Sequence, residues 1–163
     1  MSYISFKTAT ISYMDSIHCK ICKSPINNTI VLKNSRIFYH CDNCSFISLD
    51  PKYYLSPEEE KARYDLHENH ENNSGYIEIL QSFIQTAIKP YPVKHILDYG
   101  SGPNPILAKL LREETYIVDI YDPYYASWDT SNHSSYDMIV STESFEHFQE
   151  PIKELEFISS LLK

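Results

Sequence analysis

The sequence predicts a mixed α/β chain in which a small cysteine-bound unit precedes a parallel sheet flanked by helices. Three observations carry that prediction. Two C-x2-C pairs, Cys19/Cys22 and Cys41/Cys44, are separated by 18 residues near the N-terminus. A buried-strand pattern at Ile96-Leu97 runs into a glycine-bearing turn and then a helical repeat of apolar residues. A second apolar strand pattern follows within about 30 residues, the span of a βαβ unit, whose strands pair in parallel.

Length and composition bound the reading. The 163 residues suffice for one ordinary domain, or for a small unit plus part of a larger one. Hydrophobic residues make up 42% of the chain, the level of a globular protein. No apolar run approaches the ~18 residues of a membrane span, and the N-terminus MSYISFKTATISYMD lacks the continuous apolar core of a secretory signal. A cytoplasmic, reducing location is therefore expected, with the four cysteines as metal ligands rather than disulfides and with no membrane partner. The net charge of −8 is uneven: residues 1–55 carry six Lys/Arg against three Asp/Glu, residues 56–163 eight against 19. The acidic part is a poor match for a phosphate backbone. The basic excess of the first part is too small to indicate nucleic acid, though it leaves that partner open.

Residues 1–18 show weak alternation, read as a strand or an ordered tail. In each cysteine pair, two intervening residues let both thiolates reach one ion, and the gap fits a hairpin that brings the second pair opposite the first. The result is a tetrahedral four-thiolate zinc site with bonds of about 2.3 Å. Pro25, Asn27 and Asn28 mark a turn; Thr29–Leu32 and Arg36–His40 are strand candidates. The pattern resembles a zinc ribbon. All four positions are filled by protein, so the zinc is structural, and so small a unit is expected to fold with its metal. His18 and His40 are read as bystanders.

Ser56-Pro57-Glu58-Glu59 has the form of a capping box with proline at the first helical position, and predicts a helix from Pro57 to about Leu66. His67 to Asn73 is polar and rich in ligand-like side chains, a solvated loop on composition alone. Tyr76, Ile77, Leu80, Phe83, Ile84, Ala87 and Ile88 recur at helical spacing from Ser74 to Lys89, before Pro90 and Pro92 stop the helix. Its apolar stripe is read as core packing.

The stretch Ile96-Leu97-Asp98-Tyr99-Gly100-Ser101-Gly102-Pro103-Asn104-Pro105 organises the rest. Gly100 and Gly102 allow a tight turn and close approach of a ligand. Asn104 is placed to cap the next helix and Pro105 to occupy its first position; Ile106, Leu107, Leu110 and Leu111 then repeat at helical spacing. A strand, a glycine turn and a helix N-terminus make a nucleotide-sized cradle. Tyr116–Tyr121 reads as a second buried strand, ending at Asp122-Pro123. Asp122 stands 22 residues beyond Gly100, near the spacing at which nucleotide-binding folds place a carboxylate on ribose hydroxyls. The competing reading is a strand-ending turn opener. Tyr124 to Ser135 is a loop in which Tyr124, Tyr125 or Trp128 would pack beside a base or onto the sheet edge. Met138–Val140 reads as a strand next to the first, with Ser141–Phe148 at its carboxyl end, where open α/β sheets bind ligands. Ile152, Leu155, Ile158 and Leu162 give a last amphipathic helix from Pro151.

LDYGSGP, with its acidic residue before G-x-G, resembles the first motif of class I S-adenosylmethionine-dependent methyltransferases. Tyr136-Asp137 followed by three apolar residues and a Glu143-x-x-Glu146-His147-Phe148 tail resembles the fourth motif of many small-molecule members. The resemblance covers about residues 64–163. With the ribbon read from its cysteines over 1–55, a less specific ribbon-plus-methyltransferase arrangement covers about 19–163, and the resemblance implies, over 56–163, a partial Rossmann-like core that binds S-adenosylmethionine. The glycine turn from Asp98 through Tyr99, Gly100 and Ser101 to Gly102 would hold the cofactor, with Asp122 and Pro123 at the ribose. Thr142 and Glu143 would lie near its methionine part, and Tyr64, His67 and Asn69 would fold over it. Glu146 and His147 would face the methyl acceptor, His147 as general base or as a structural histidine. The acceptor is a small molecule, a sugar or an RNA base. The sequence stops one helix after the fourth motif, as a C-terminally truncated member would, and this predicts an open strand edge covered by a homodimer or a complementing chain. The alternative function is a non-catalytic zinc-ribbon binding module with a degenerate half-core. A nicotinamide enzyme is disfavoured, because Pro105 stands where a third glycine would fall.

Overall fold

The computed structural model describes residues 17–66, 72–127 and 135–163. The chain divides into two compact units, residues 1–56 with 150–152, and residues 57–149 with 153–163. Among the described residues no helix is long and apolar enough to cross a membrane.

The first unit holds an antiparallel sheet of β1 (Asn28–Val31), β2 (Ile37–His40) and β3 (Ile47–Leu49) in that order. The expected hairpin is β1–β2, with Thr29 opposite Tyr39 and Ile30 opposite Phe38. The third strand pairs Phe38 with Leu49; at three residues its alternation is too short to read from sequence. Among the described residues the unit's core is small, with buried Cys19, Ile26 and Cys41 packed by Ile17, Ile21, Tyr39 and Phe46. So little apolar burial leaves a unit of this size dependent on a further staple.

The second unit begins with α1 (Pro57–Tyr64), which has no buried residue. Next comes α2 (Ser74–Phe83), capped by the Asn73 side chain on the Tyr76 amide. Its last turn widens to a π-helix over Ile84–Ile88, closed by Lys89 N–H on the Ile84 carbonyl at 2.9 Å. The wider turn keeps both Ile84 and Ile88 buried. Then follow β4 (His95–Tyr99), α3 (Ile106–Glu113), β5 (Ile117–Tyr121), β6 (Met138–Val140) and α4 (Pro151–Ser160).

The three strands form a parallel sheet in the order β5-β4-β6, with Ile96 opposite Val118 on one side and Met138 on the other. The period of two divides the central strand between two cores. Ile96 joins Leu80, Ile84, Ile88, Leu107, Leu111, Val118 and Val140 on the α2/α3 side. Leu97 and Tyr99 join Tyr136 and Leu161 on the other, against Ile158 of α4. Truncating one fully buried side chain here, such as Leu111→Ala, is expected to cost about 2–5 kcal/mol.

Two local expectations change. Asn104 does not cap α3: Pro105 holds the cap position with φ −75° and ψ 65°, the helix starts at Ile106, and the Asn104 carbonyl accepts from Ile106 N–H at 2.8 Å. That short turn takes the place a side-chain cap would have. The start of β6 is not wholly open either. Tyr136 N–H donates to Leu161 O at 2.9 Å and Lys163 N–H to Tyr136 O at 3.1 Å, so the chain after α4 returns as a parallel bridge beside Tyr136. Asp137 pins the same end, accepting from Lys94 N–H, His95 N–H and Lys163 Nζ at 3.0, 2.8 and 2.6 Å; these donors hold its carboxyl well below the ordinary range.

Candidate functional site

In the first unit, the sulfurs of Cys19, Cys22, Cys41 and Cys44 all lie within 4.8 Å of one another. Cys19 and Cys44 are 3.6 Å apart, Cys22 and Cys41 3.5 Å, close to the ~3.8 Å edge of a tetrahedron with 2.3 Å bonds. Two knuckle turns present them: Lys23 N–H closes on Cys19 O at 3.0 Å, Ser45 N–H on Cys41 O at 2.8 Å. Lys23 and Ser45 take the same left-handed φ, 61° and 60°. The donor set therefore fits a tetrahedral metal. His40 is turned away, with Nδ1 3.4 Å from Asp42 Oδ1.

The second unit carries a cavity of about 770 Å³ across the carboxyl ends of its parallel strands, the position and size of a small-ligand site in an open α/β sheet. It is built around the glycine turn. Gly100 and Ser101 both donate their N–H to Tyr121 O, at 2.8 and 3.0 Å. Gly100 has φ +82° and Gly102 φ +68°. A Cβ on Gly100 would strike Ser144, whereas one on Gly102 would meet nothing within 4 Å. Gly100 therefore serves packing, and Gly102 leaves space where a ligand can approach the backbone.

Asp122, 8% exposed, ties the turn to the loop after β5. Its Oδ2 accepts from Gly102 N–H at 2.9 Å, and its Oδ1 from Tyr124 and Tyr125 N–H at 2.9 and 3.2 Å. It is thus both the strand-ending turn residue and a wall of the cavity. Asp98 lies beneath, 2% exposed. Burial pushes its carboxyl up to about 7, with the Asp122 charge adding to the shift and the Ala108 amide and Arg112 opposing it. Asp119, the acidic residue within β5, points elsewhere, to His95 Nε2 at 3.0 Å and Tyr136 OH at 3.1 Å.

Of the residues singled out from sequence, Tyr64, Asp98, Tyr99, Gly100, Ser101, Gly102, Asp122, Pro123, Thr142, Glu143, Glu146 and His147 all line this one cavity. His67, Asn69 and Trp128 lie outside the described residues. Glu143 has φ 55°, a left-handed backbone of the kind that clusters at ligand sites. The His147 ring meets Tyr64 edge-on at 5.5 Å, and Tyr64 lies 6.0 Å from Tyr124.

Several lining residues, Glu60 and Glu154 among them, escaped the sequence reading, whereas Tyr124 and Tyr125, expected beside a base or at the sheet edge, do line the cavity. α1 closes one side by pairing with the loop after β5: Tyr124 OH donates to Glu60 Oε2 and Tyr125 OH to Asp65 Oδ1, both at 2.6 Å, while Lys61 lies over the Tyr125 ring. Burial, then the Glu60 hydrogen bond, raises the Tyr124 phenol to about 12. The α2 stripe read as core also faces the cavity, through Tyr76, Ile79, Leu80 and Phe83. Glu154 of α4 accepts from Tyr99 OH. No short-range pattern marks these residues, since their partners are tens of positions away; only the amphipathic repeat of α2 could have drawn attention to Tyr76.

Residues 67–163 match a family model described as a methyltransferase domain. No curated protein and no solved structure matches the chain significantly.

Proposed function

The chain belongs to the class I S-adenosylmethionine-dependent methyltransferase family, and from that premise we propose that it binds S-adenosylmethionine in the 770 Å³ cavity and transfers its methyl group to an acceptor held beside it. The observation that carries the proposal is the convergence on one cavity of the glycine turn, Asp122 and the residues after β6. The cofactor, when bound, supplies a methyl group on a positively charged sulfur, already a good leaving group, so catalysis is chiefly positioning.

The residues present fit that task. The open space over Gly102 admits a ligand against backbone. Asp122 already accepts three N–H groups, and a carboxylate has about four acceptor positions, so it takes one ribose hydroxyl rather than two. Thr142 and Glu143 border the methionine end. α1 and the Tyr124–Tyr125 turn exclude water from one side through their hydrogen bonds. His147, with Glu146 beside it, takes a proton from the acceptor where one must be lost. In the first unit the four cysteines hold a structural Zn2+, with no ligand position left open.

Calorimetric titration of the zinc-loaded chain with S-adenosylmethionine, and with NAD as control, tests the reading. Saturable binding of the first alone, weakened in Asp122→Ala, is expected. A folded, zinc-containing protein that binds neither overturns it.

A further inference from the structure

We propose that the methyl acceptor is an amine that enters the cavity as a cation, received by the corner formed by Glu154, Tyr121 and Phe148. This rests on the reading of the cavity as a methyl-transfer site. Among the described residues, the lining contains six carboxylates, Glu60, Asp98, Asp122, Glu143, Glu146 and Glu154, and neither lysine nor arginine. The nearby cations are committed elsewhere. Arg112 donates to Val118 O at 2.6 Å, and Lys61 pairs with Asp65 at 3.0 Å.

The cofactor does not account for this charge. It brings two positive groups and one carboxylate, a net single positive charge. Asp98 is drawn toward its neutral form by burial, and Asp122 is engaged by three amides. Glu60 is engaged by the Tyr124 and Tyr64 hydroxyls, at 2.6 and 3.3 Å, and Glu143, Glu146 and Glu154 remain. A phosphate or carboxylate acceptor would meet these with no fixed cation to offset them, in a partly enclosed space where such repulsion is strong. A cationic acceptor reverses the sign.

The corner has the chemistry to hold one. Tyr99 forms its floor: the ring lies tilted by 36° against Tyr121 at 4.8 Å and meets Phe148 edge-on at 6.2 Å. Tyr99 OH donates to Glu154 Oε1, which fixes the carboxylate and leaves Oε2 for a ligand. Aromatic faces beside a carboxylate attract ammonium groups through the ring quadrupole and through charge. In the transfer, the amine first loses a proton to His147. Its freed lone pair then forms the N–C bond as the methyl–sulfur bond breaks, the sulfonium becomes a neutral thioether, and His147 passes its proton to water.

The test uses the full zinc-loaded chain with saturating S-adenosylhomocysteine, and follows binding of choline and of its neutral isostere 3,3-dimethylbutan-1-ol by NMR titration. Choline carries the N-methylammonium group of a product. It is expected to bind about tenfold more tightly than the isostere. Glu154→Gln, which can still accept from Tyr99, is expected to remove most of that preference while S-adenosylhomocysteine affinity stays within about twofold. Equal binding of the two probes to the wild type, or a preference unchanged in Glu154→Gln, overturns the proposal. Failure of S-adenosylhomocysteine itself to bind overturns the cofactor reading on which it rests. If the variant does not fold, the wild-type comparison decides.

Discussion

One added carbon at Gly100 and one at Gly102 separate the folding role of the turn from its binding role. At Gly100 the backbone has φ +82°, which costs an L-residue about 1–2 kcal/mol. The new Cβ would stand 2.4 Å from Ser144 Oγ and 2.9 Å from Ser144 Cβ. The hydroxyl can rotate away only by giving up its contacts with Gly100 O and Thr142 O, at 3.3 and 3.0 Å, and the Cβ moves only with the backbone. Overpacking of that kind costs about 1–3 kcal/mol, so Gly100→Ala is expected to destabilise by about 2–5 kcal/mol in all. At Gly102 the φ of +68° brings similar strain, but no atom lies within 4 Å, and the cost stays at about 1–2 kcal/mol. Its methyl group instead stands where the ligand would approach the backbone, and cofactor affinity is expected to fall at least about tenfold. Urea denaturation and calorimetry with S-adenosylhomocysteine read the two effects separately. Equal destabilisation by both substitutions, or wild-type affinity in Gly102→Ala, would refute the division of roles.

Four further outcomes follow from the geometry. Asp122→Ala removes the acceptor of three amides and is expected to cost about 2–3 kcal/mol and to weaken cofactor binding; Asp122→Asn, which keeps one acceptor oxygen, should lose less stability, and equal losses would count against the strut. Asp98 has its carboxyl raised to about 7 when folded against about 3.9 unfolded, so the folded state holds the proton more tightly and stability falls as pH rises from about 4 to 7. The loss is up to roughly 4 kcal/mol, is complete above that window, and should vanish in Asp98→Asn in urea titrations across pH. Zinc analysis should give one ion per chain, and Cys41→Ser, at a buried ligand position, should lose it together with the order of the ribbon; a folded ribbon without metal would sink that reading. Beyond the Tyr136–Leu162 bridge, β6 has no neighbour on its second edge among the described residues, so self-association is expected in light scattering, and a monomer at high concentration would contradict it.

What the sequence disclosed depended on range. The cysteine knuckles, the β4-turn-α3 unit and the α2 stripe are patterns of fewer than about 20 residues, where spacing maps directly onto geometry. The spacing from Gly100 singles out Asp122 in the sequence, yet its hydrogen bonding is not legible there: only the fold brings the Gly102, Tyr124 and Tyr125 amides onto one carboxylate. The Tyr124–Glu60 and Tyr99–Glu154 hydrogen bonds join residues 64 and 55 positions apart, and no periodicity encodes such pairs. Pro105 shows the opposite failure, a local rule overridden locally. Proline is favoured at a first helical position, but here its ψ of 65° places it one step outside, and α3 begins at Ile106 without a side-chain cap. No Asn104 side chain is drawn over the first turn as a cap, and the residues at the turn, Gly102, Pro103 and Asn104, all border the cavity. The first helical amide is closed instead by backbone, Ile106 N–H donating to Asn104 O at 2.8 Å, so a one-residue shift of the helix start exchanges a side-chain cap for a main-chain turn.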